Sequence, residues 1–201
     1  MAERLTNYDP SRIPETFEDR SFSTLRANVA ALTLVAPVAA TATAAFGLIH
    51  GWPALIADIA AAPIYVPIAI LLAGIVAHEL LHLAAWQIVA KPPSGSVRLG
   101  FHWKSITPYA HCSAPMTARA YTVGAAMPGI LLGVIPMIVG LVTGSGGWMC
   151  FGVLFTIAAG GDALILWLLR GVAGDRLVLD HPTRPGCLLL HEGSAADSVD
   201  E

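Results

Sequence analysis

Residues 77–83 read AHELLHL, which places two histidines and a glutamate within five positions. His78-Glu79-Leu80-Leu81-His82 is an HExxH motif. On a helix, positions i and i+4 share a face, so both imidazoles can reach one metal ion. Glu79 projects to the flank of that face, beside a metal rather than onto it. Two neutral nitrogen donors and a neighbouring carboxylate suit a zinc (Zn2+) hydrolase, where the carboxylate takes a proton from water. With average residue usage the motif arises by chance on the order of once in 10⁴–10⁵ positions. The bland alternative is a set of polar residues hydrogen-bonding at a helix end. A haem site is disfavoured, because axial histidines approach iron from opposite sides.

What surrounds the motif makes it stranger. The chain has 201 residues, of which 55% are hydrophobic and only 12% charged; its mean hydropathy is +0.66. Ordinary soluble domains carry about 25% charged residues. No Asp, Glu, Lys or Arg occurs between Arg26 and Asp58, between Asp58 and Glu79, or between Arg119 and Asp162. Uncharged apolar runs of about 18 residues or more are transmembrane candidates. The expected fold is therefore mainly α: a polytopic membrane protein with about four transmembrane helices, spanning roughly 27–49, 63–90, 120–143 and 148–170. Each ionisable group of the motif then costs roughly 2.5–3.5 kcal/mol inside its span, a cost that function has to justify.

A catalytic zinc site usually takes three protein ligands. Asp162, in AAGGDALIL, is the one acidic residue within spans three and four. His82 and Asp162 each stand about eight residues before the end of a span running in the same direction, so at about 1.5 Å per residue they share a depth. Gly160 and Gly161 remove bulk beside the aspartate and would let span two approach. Asp175 and Asp180 are weaker third-ligand candidates, since both follow span four. His102 and His111 lie in the 91–119 loop, where they either bind substrate and stabilise an oxyanion or are ordinary surface histidines. His50 belongs to the opposite side, and His181 and His191 to the C-terminal segment.

Positive charge sets the orientation. Arg4, Arg12, Arg20 and Arg26 precede span one; Lys91, Arg98, Lys104 and Arg119 separate spans two and three; Arg170, Arg176 and Arg184 follow span four. Connections 50–62 and 144–147 have no Lys or Arg. The positive-inside rule puts both termini, the 91–119 loop and the active-site side in the cytoplasm of a cell with a multi-pass protein in its membrane. Within that loop VRLGFHW alternates with period two, predicting a strand, and SITPY offers a return strand or a turn. RLVLDHPTRPGCLLLHE reads as strand, Pro/Gly turn, strand: a short C-terminal β-hairpin. The polar segments 1–26 and 191–201 read as disordered, leaving 27–190 as one membrane-embedded domain. MPG at 127–129 predicts a kink in span three, and Gly129-xxx-Gly133 and Gly140-xxx-Gly144 predict close-packed helix faces. Three cysteines, Cys112, Cys150 and Cys187, lack CxxC spacing, against a disulfide framework or a thiolate zinc site. Two lysines against nine arginines suggest a GC-rich prokaryote.

HELLH, then YAHCSAPMTARAYTVGAAMPG, then GGDALI, then LVLDHPTRPGCLLL resemble, in that order over roughly residues 70–190, the putative zincin peptidase family. That family comprises four-span prokaryotic membrane proteins carried as a domain of unknown function. The pattern is also similar to site-2 proteases, although GGD stands where those have an NPDG-like segment. The resemblance implies His78, His82 and Asp162 as zinc ligands and Glu79 as the catalytic acid/base. The function expected is an intramembrane zinc metallopeptidase whose partners are the lipid bilayer and a membrane-protein or peptide substrate, with no nucleic acid. The alternative is a non-catalytic metal-binding scaffold, which would not require Glu79. A metal-ion transporter would be expected to have more spans, arranged as repeats.

Overall fold

The computed structural model describes residues 16–102 and 107–191. Among the described residues three helices have the length and composition to cross a membrane: α1 (Thr24–His50), α3 (Tyr65–Val89) and the continuous helical stretch Ala118–Thr143. Each of 25 to 27 residues exceeds the roughly 20 that a hydrocarbon core requires. The third stretch comprises α4 (Ala118–Pro128), a π-helical segment at Gly129–Val134 and α5 (Ile135–Thr143). In place of the kink expected at MPG, the stretch continues as one span and changes to π-helical pitch directly after Pro128, which lacks an N–H for the regular ladder. The fourth span is not the single straight helix expected over 148–170. It is α6 (Gly146–Ala158) followed by α7 (Gly160–Leu169), bent by 52° at Ala159. Three to four apolar helices with outward-facing Leu32, Leu48, Ile68, Val76, Ile138 and Val142 fit a membrane protein.

A short apolar helix that the sequence reading left as a connection, α2 (Trp52–Ala61), joins α1 to α3. The Asp58 carboxylate on it accepts hydrogen bonds from the Ser145 hydroxyl and the Gly147 amide, tying α2 to the start of α6. Between the helices the fill is small. Ala27, Ala31, Val35 and Ala39, spaced by four, form the buried stripe of α1. Two glycines of span three pack as expected, since a Cβ at Gly133 or Gly140 would stand 2.6 Å from Thr156 Oγ1 or 2.5 Å from the Met149 nitrogen on α6, whereas Gly144 instead caps α5 in a left-handed conformation. Gly160 instead meets Ala31 of α1, and nothing lies within 4 Å of a Cβ at Gly161, so neither glycine serves an approach of α3.

At one end of the helices sit two small sheets. The C-terminal hairpin forms as β5 (Leu177–Asp180) and β6 (Gly186–Leu190), joined into a four-stranded antiparallel sheet of order β1-β6-β5-β4. Its edges are β1 (Phe17–Ser21) and β4 (Met116–Thr117). β1 corrects the expectation of disorder over 1–26: Phe17 lies opposite Leu190 and Ser21 opposite Gly186. A pairing partner far along the chain orders this charged pentapeptide, helped by Arg20, whose guanidinium donates to Glu18 and to the Leu168 carbonyl. The rest of the disorder expectation, at 1–15 and 192–201, lies outside the described residues. The loop strands pair as β2 (Val97–His102) and β3 (Thr107–Cys112), with Arg98 opposite His111 and Leu99 opposite Ala110. The sheet core is Val178, Leu188, Leu189, Cys187 and Cys112, all fully buried. Burial pushes the Cys187 thiol up to about 12, so it is a small apolar side chain rather than a thiolate.

Candidate metal centre

α3 carries His78 and His82 on its buried face, as the i, i+4 spacing requires, and Trp86 continues that face. The break at Ala159 puts Asp162 in the first turn of α7. A helix N-terminus leaves amide groups unpaired and favours a carboxylate, so the bend gives the aspartate a better place than a straight helix interior would. His78 Nε2 lies 3.2 Å from Asp162 Oδ2 and His82 Nε2 lies 3.3 Å from Oδ1. The three ligand atoms lie within 4.8 Å of one another.

A third helix orients the second histidine. His82 Nδ1 lies 2.9 Å from the Gly124 carbonyl of α4, which can only accept, so Nδ1 carries the proton. A neutral His82 then points the Nε2 lone pair at a carboxylate oxygen. Two lone pairs facing each other at that distance repel unless a cation, a proton or a metal, stands between them. Ligands about 2.0–2.1 Å from a tetrahedral zinc lie about 3.3 Å apart, and each histidine stands at about that distance from its own oxygen of the Asp162 carboxylate. A backbone carbonyl behind a ligating histidine is also the usual outer support of such a site. His78 Nδ1 is buried without a hydrogen-bond partner, so its usable lone pair or proton is committed toward Asp162 through Nε2 alone. The donor set fits zinc.

Packing holds this geometry. His82 stacks on Trp86 at 5.5 Å and Trp86 on Tyr121 at 5.7 Å between ring centroids. Gly124 has to be a glycine, since a Cβ would fall 1.9 Å from Trp86 Nε1. On the other side, a Cβ at Gly74, one turn before His78, would meet the Phe155 ring of α6.

Glu79 is half-buried at the flank of the histidine face, with the Ala110 amide of β3 beside its carboxylate. β3 therefore borders the site. The next outward-facing amide of that strand, Cys112, donates to Asp180 Oδ2 at 2.9 Å. Asp180 also accepts from the Tyr121 hydroxyl and faces His111 Nδ1 at 3.3 Å. The hydrogen bond to Asp180 raises the His111 pKa, against the opposing effect of burial.

The remaining sequence candidates separate cleanly. Asp180 is taken up by β3 and Tyr121 rather than by the two histidines. Asp175 is exposed in the turn after α7. His50 bonds the Leu141 carbonyl at the far end of the helices. His181 Nδ1 accepts from the Thr183 and Arg184 amides and shapes the hairpin turn. His191 is exposed beyond β6. His102 ends β2, but its side chain lies outside the described residues. Sequence reasoning missed the Gly124 carbonyl and the Trp86–Tyr121 stack. The run 78, 82, 86 at i+4 spacing was the available signal for Trp86.

The model of a family described as "Putative zincin peptidase" matches residues 71–175, more than half of the chain and all four residues of the site. The chain belongs to that family. No curated protein and no solved structure matches it.

Proposed function

We propose that the protein is an intramembrane zinc-dependent metallopeptidase that hydrolyses peptide bonds of membrane-associated substrates. The observation that carries this reading is the convergence of His78, His82 and Asp162 at ligand spacing, with the His82 tautomer set by Gly124. Family membership supports zinc and peptide hydrolysis. His78, His82 and Asp162 would hold the ion. Bound there, zinc supplies Lewis acidity to a water and to the scissile carbonyl. Glu79 takes one proton from the attacking water as its oxygen bonds to the carbonyl carbon. It then returns that proton to the departing nitrogen as the C–N bond breaks, so the carboxylate ends as it began.

The substrate must be extended where it is cut, because a helix hides its peptide bonds. The β2–β3 ladder supplies a template. Its register, with the Ser113 amide bonded to the Ser96 carbonyl, leaves the main-chain groups of Val97 and Leu99 on the outer edge of β2. A substrate segment added there would gain main-chain hydrogen bonds. Orientation follows the charges: Arg20, Arg26, Lys91, Arg98, Arg119, Arg170, Arg176 and Arg184 gather at the sheet end, which supports a cytoplasmic position for the site and both termini in a cell membrane.

The test is a substrate screen with wild type against Glu79→Gln in proteoliposomes, with metal content measured on both. Cleavage lost with zinc retained is the expected result. Full activity in Glu79→Gln overturns the mechanism, and retained zinc with no cleavage by wild type would leave a metal-binding scaffold.

A further inference from the structure

At the end of the helices away from the sheets, α3 and α6 part. Val66 and Ile70 on α3 and Phe151 and Leu154 on α6 line a groove of about 600 Å³ between them. Spacing by three or four puts each pair on one helix face. The groove stands open sideways, since Ile70 and Leu154 are half-exposed although they line it. It closes where the Phe155 ring packs on Gly74, two turns below Val66 and about 12 Å along the helix. At its mouth lies Asp58 of α2, beside Trp148. Asp58 Oδ2 accepts from the Gly147 amide and the Ser145 hydroxyl, and these bonds, Gly147's foremost, hold the carboxyl below its usual range, so it is charged. Among the described residues Oδ1 has no hydrogen-bond partner. No Lys or Arg occurs in 50–62 or 144–147, so neither connection supplies a lysine or arginine to match the charge.

We propose that this groove binds one phospholipid with a primary ammonium headgroup, the ammonium on Asp58 and one acyl chain between α3 and α6 with its end against Phe155. The site is independent of the hydrolytic reading. A primary ammonium donates N–H to a carboxylate in a charge-assisted hydrogen bond, and Oδ1 is placed to accept it. Exposed Trp52, Tyr65 and Trp148 gather at this end, and such aromatic residues mark the headgroup layer, where lipid ammonium groups lie. An anionic headgroup meets an unmatched negative charge instead. In a bilayer the apolar walls gain little over ordinary lipid contact, so the selectivity comes from Asp58. A protein helix fits worse. With its side chains it is about 10–12 Å across, and a groove that ends at Phe155 cannot follow it deeper. The Lys and Arg of a spanning helix also concentrate on the cytoplasmic side, away from Asp58. An acyl chain is thin and comes to an end, as the groove does.

The test uses the full chain in phosphatidylcholine nanodiscs doped with a phospholipid that carries a diazirine at the end of one acyl chain. The headgroup of this probe is ethanolamine, choline or glycerol. With ethanolamine, crosslinks should concentrate on residues 66–74 and 151–155 and exceed those of the other two probes about 10-fold, the discrimination of one charge-assisted hydrogen bond. Asp58→Asn keeps an acceptor for Ser145 and Gly147 and should bring the three headgroups within about 2-fold of one another. Ile70→Trp fills the groove from a half-exposed position and should remove these crosslinks for every headgroup. Circular dichroism confirms that each variant is folded, and the headgroup series in wild type stands without either. Equal labelling by the three probes in wild type, or an ethanolamine preference that survives Asp58→Asn, overturns the proposal. So do crosslinks spread evenly over the helices, the pattern of bulk lipid. Labelling that shows no headgroup preference and is displaced by an apolar single-span peptide gives the groove to a protein helix, and overturns it as well.

Discussion

Asp162 and Asp180 are both largely buried acids with histidine neighbours, and they have opposite solutions to burial. Asp180 faces three donors supplied by the protein: a histidine nitrogen, a backbone amide and a tyrosine hydroxyl. Its charge is met without any ligand. Asp162 faces two imidazole nitrogens, and the one on His82 presents a lone pair once its proton is given to Gly124. Burying a carboxylate against lone pairs costs several kcal/mol unless a cation intervenes. The contrast separates a carboxylate that braces structure from one that awaits a metal. Proximity of histidine to aspartate is common to both, so the proton positions make the distinction.

Zinc binding should break the comparison most sharply. Asp162→Ala removes one of three ligands and should lower zinc affinity by about 10²-fold or more, whereas Asp180→Asn should leave one zinc per chain. Loss of a ligand is at least as severe as loss of an outer support, which typically costs 10–100-fold. Metal analysis after dialysis against a graded chelator reads both. Equal zinc loss in the two variants would mean that the carboxylates do not differ as argued.

Stability should show the reverse order. Asp180→Ala strands the Tyr121 hydroxyl and the Cys112 amide in a buried region and should cost about 2–4 kcal/mol. Asp162→Ala should cost the apo-protein little, because it removes a charge that the protein alone leaves poorly met. Thermal melts of both variants in excess chelator test this. A larger loss in the Asp162 variant would contradict it.

Gly124→Ala probes the support between the two. The added methyl would have to displace the Trp86 indole from a stack that reaches His82 on one side and Tyr121 on the other. Overpacking of this kind costs about 1–3 kcal/mol. It should weaken zinc about 10-fold while leaving the sheet intact, measured by chelator competition. Unaltered zinc affinity would show that the Trp86 stack does not hold His82 in its ligating position.

These features were unequally legible in the sequence. HExxH and the lone Asp162 were readable because helical spacing is local and a charge in an apolar run needs a reason. The depth match between His82 and Asp162 followed from chain direction alone. The break at Ala159 was signalled by Gly160-Gly161, but the glycines were read as room for α3 when they instead begin a new helix against α1. β1 was unreadable, because FEDRS has strand form only through pairing with residues 186–190. Asp180 was visible as an acid near the site; its function as a brace depends on β3, α4 and β5 meeting, and no local pattern encodes that.

The smallest expected effect is the pH dependence of stability in the sheet region, and it has two opposing parts. His111 has its pKa raised in the fold by Asp180. Its contribution is fully present below the unfolded value, about 6.5, and is lost as pH rises through the higher folded value. His181 has its pKa lowered by burial and stays neutral, accepting from the Thr183 and Arg184 amides. Its contribution is present above about 6.5 and is lost as pH falls through the lower folded value. Wild type should therefore show a shallow stability maximum near that pH. Asp180→Asn removes the first part only, so its stability relative to wild type should recover as pH rises above 6.5 toward 8, with little change on the acid side of 5. Melting curves of both proteins across pH 5–8 in chelator read the difference between them, to which the unaltered metal centre contributes equally. An Asp180→Asn difference that is constant with pH would mean that Asp180 braces β3 through Cys112 and Tyr121 alone, without a charged His111.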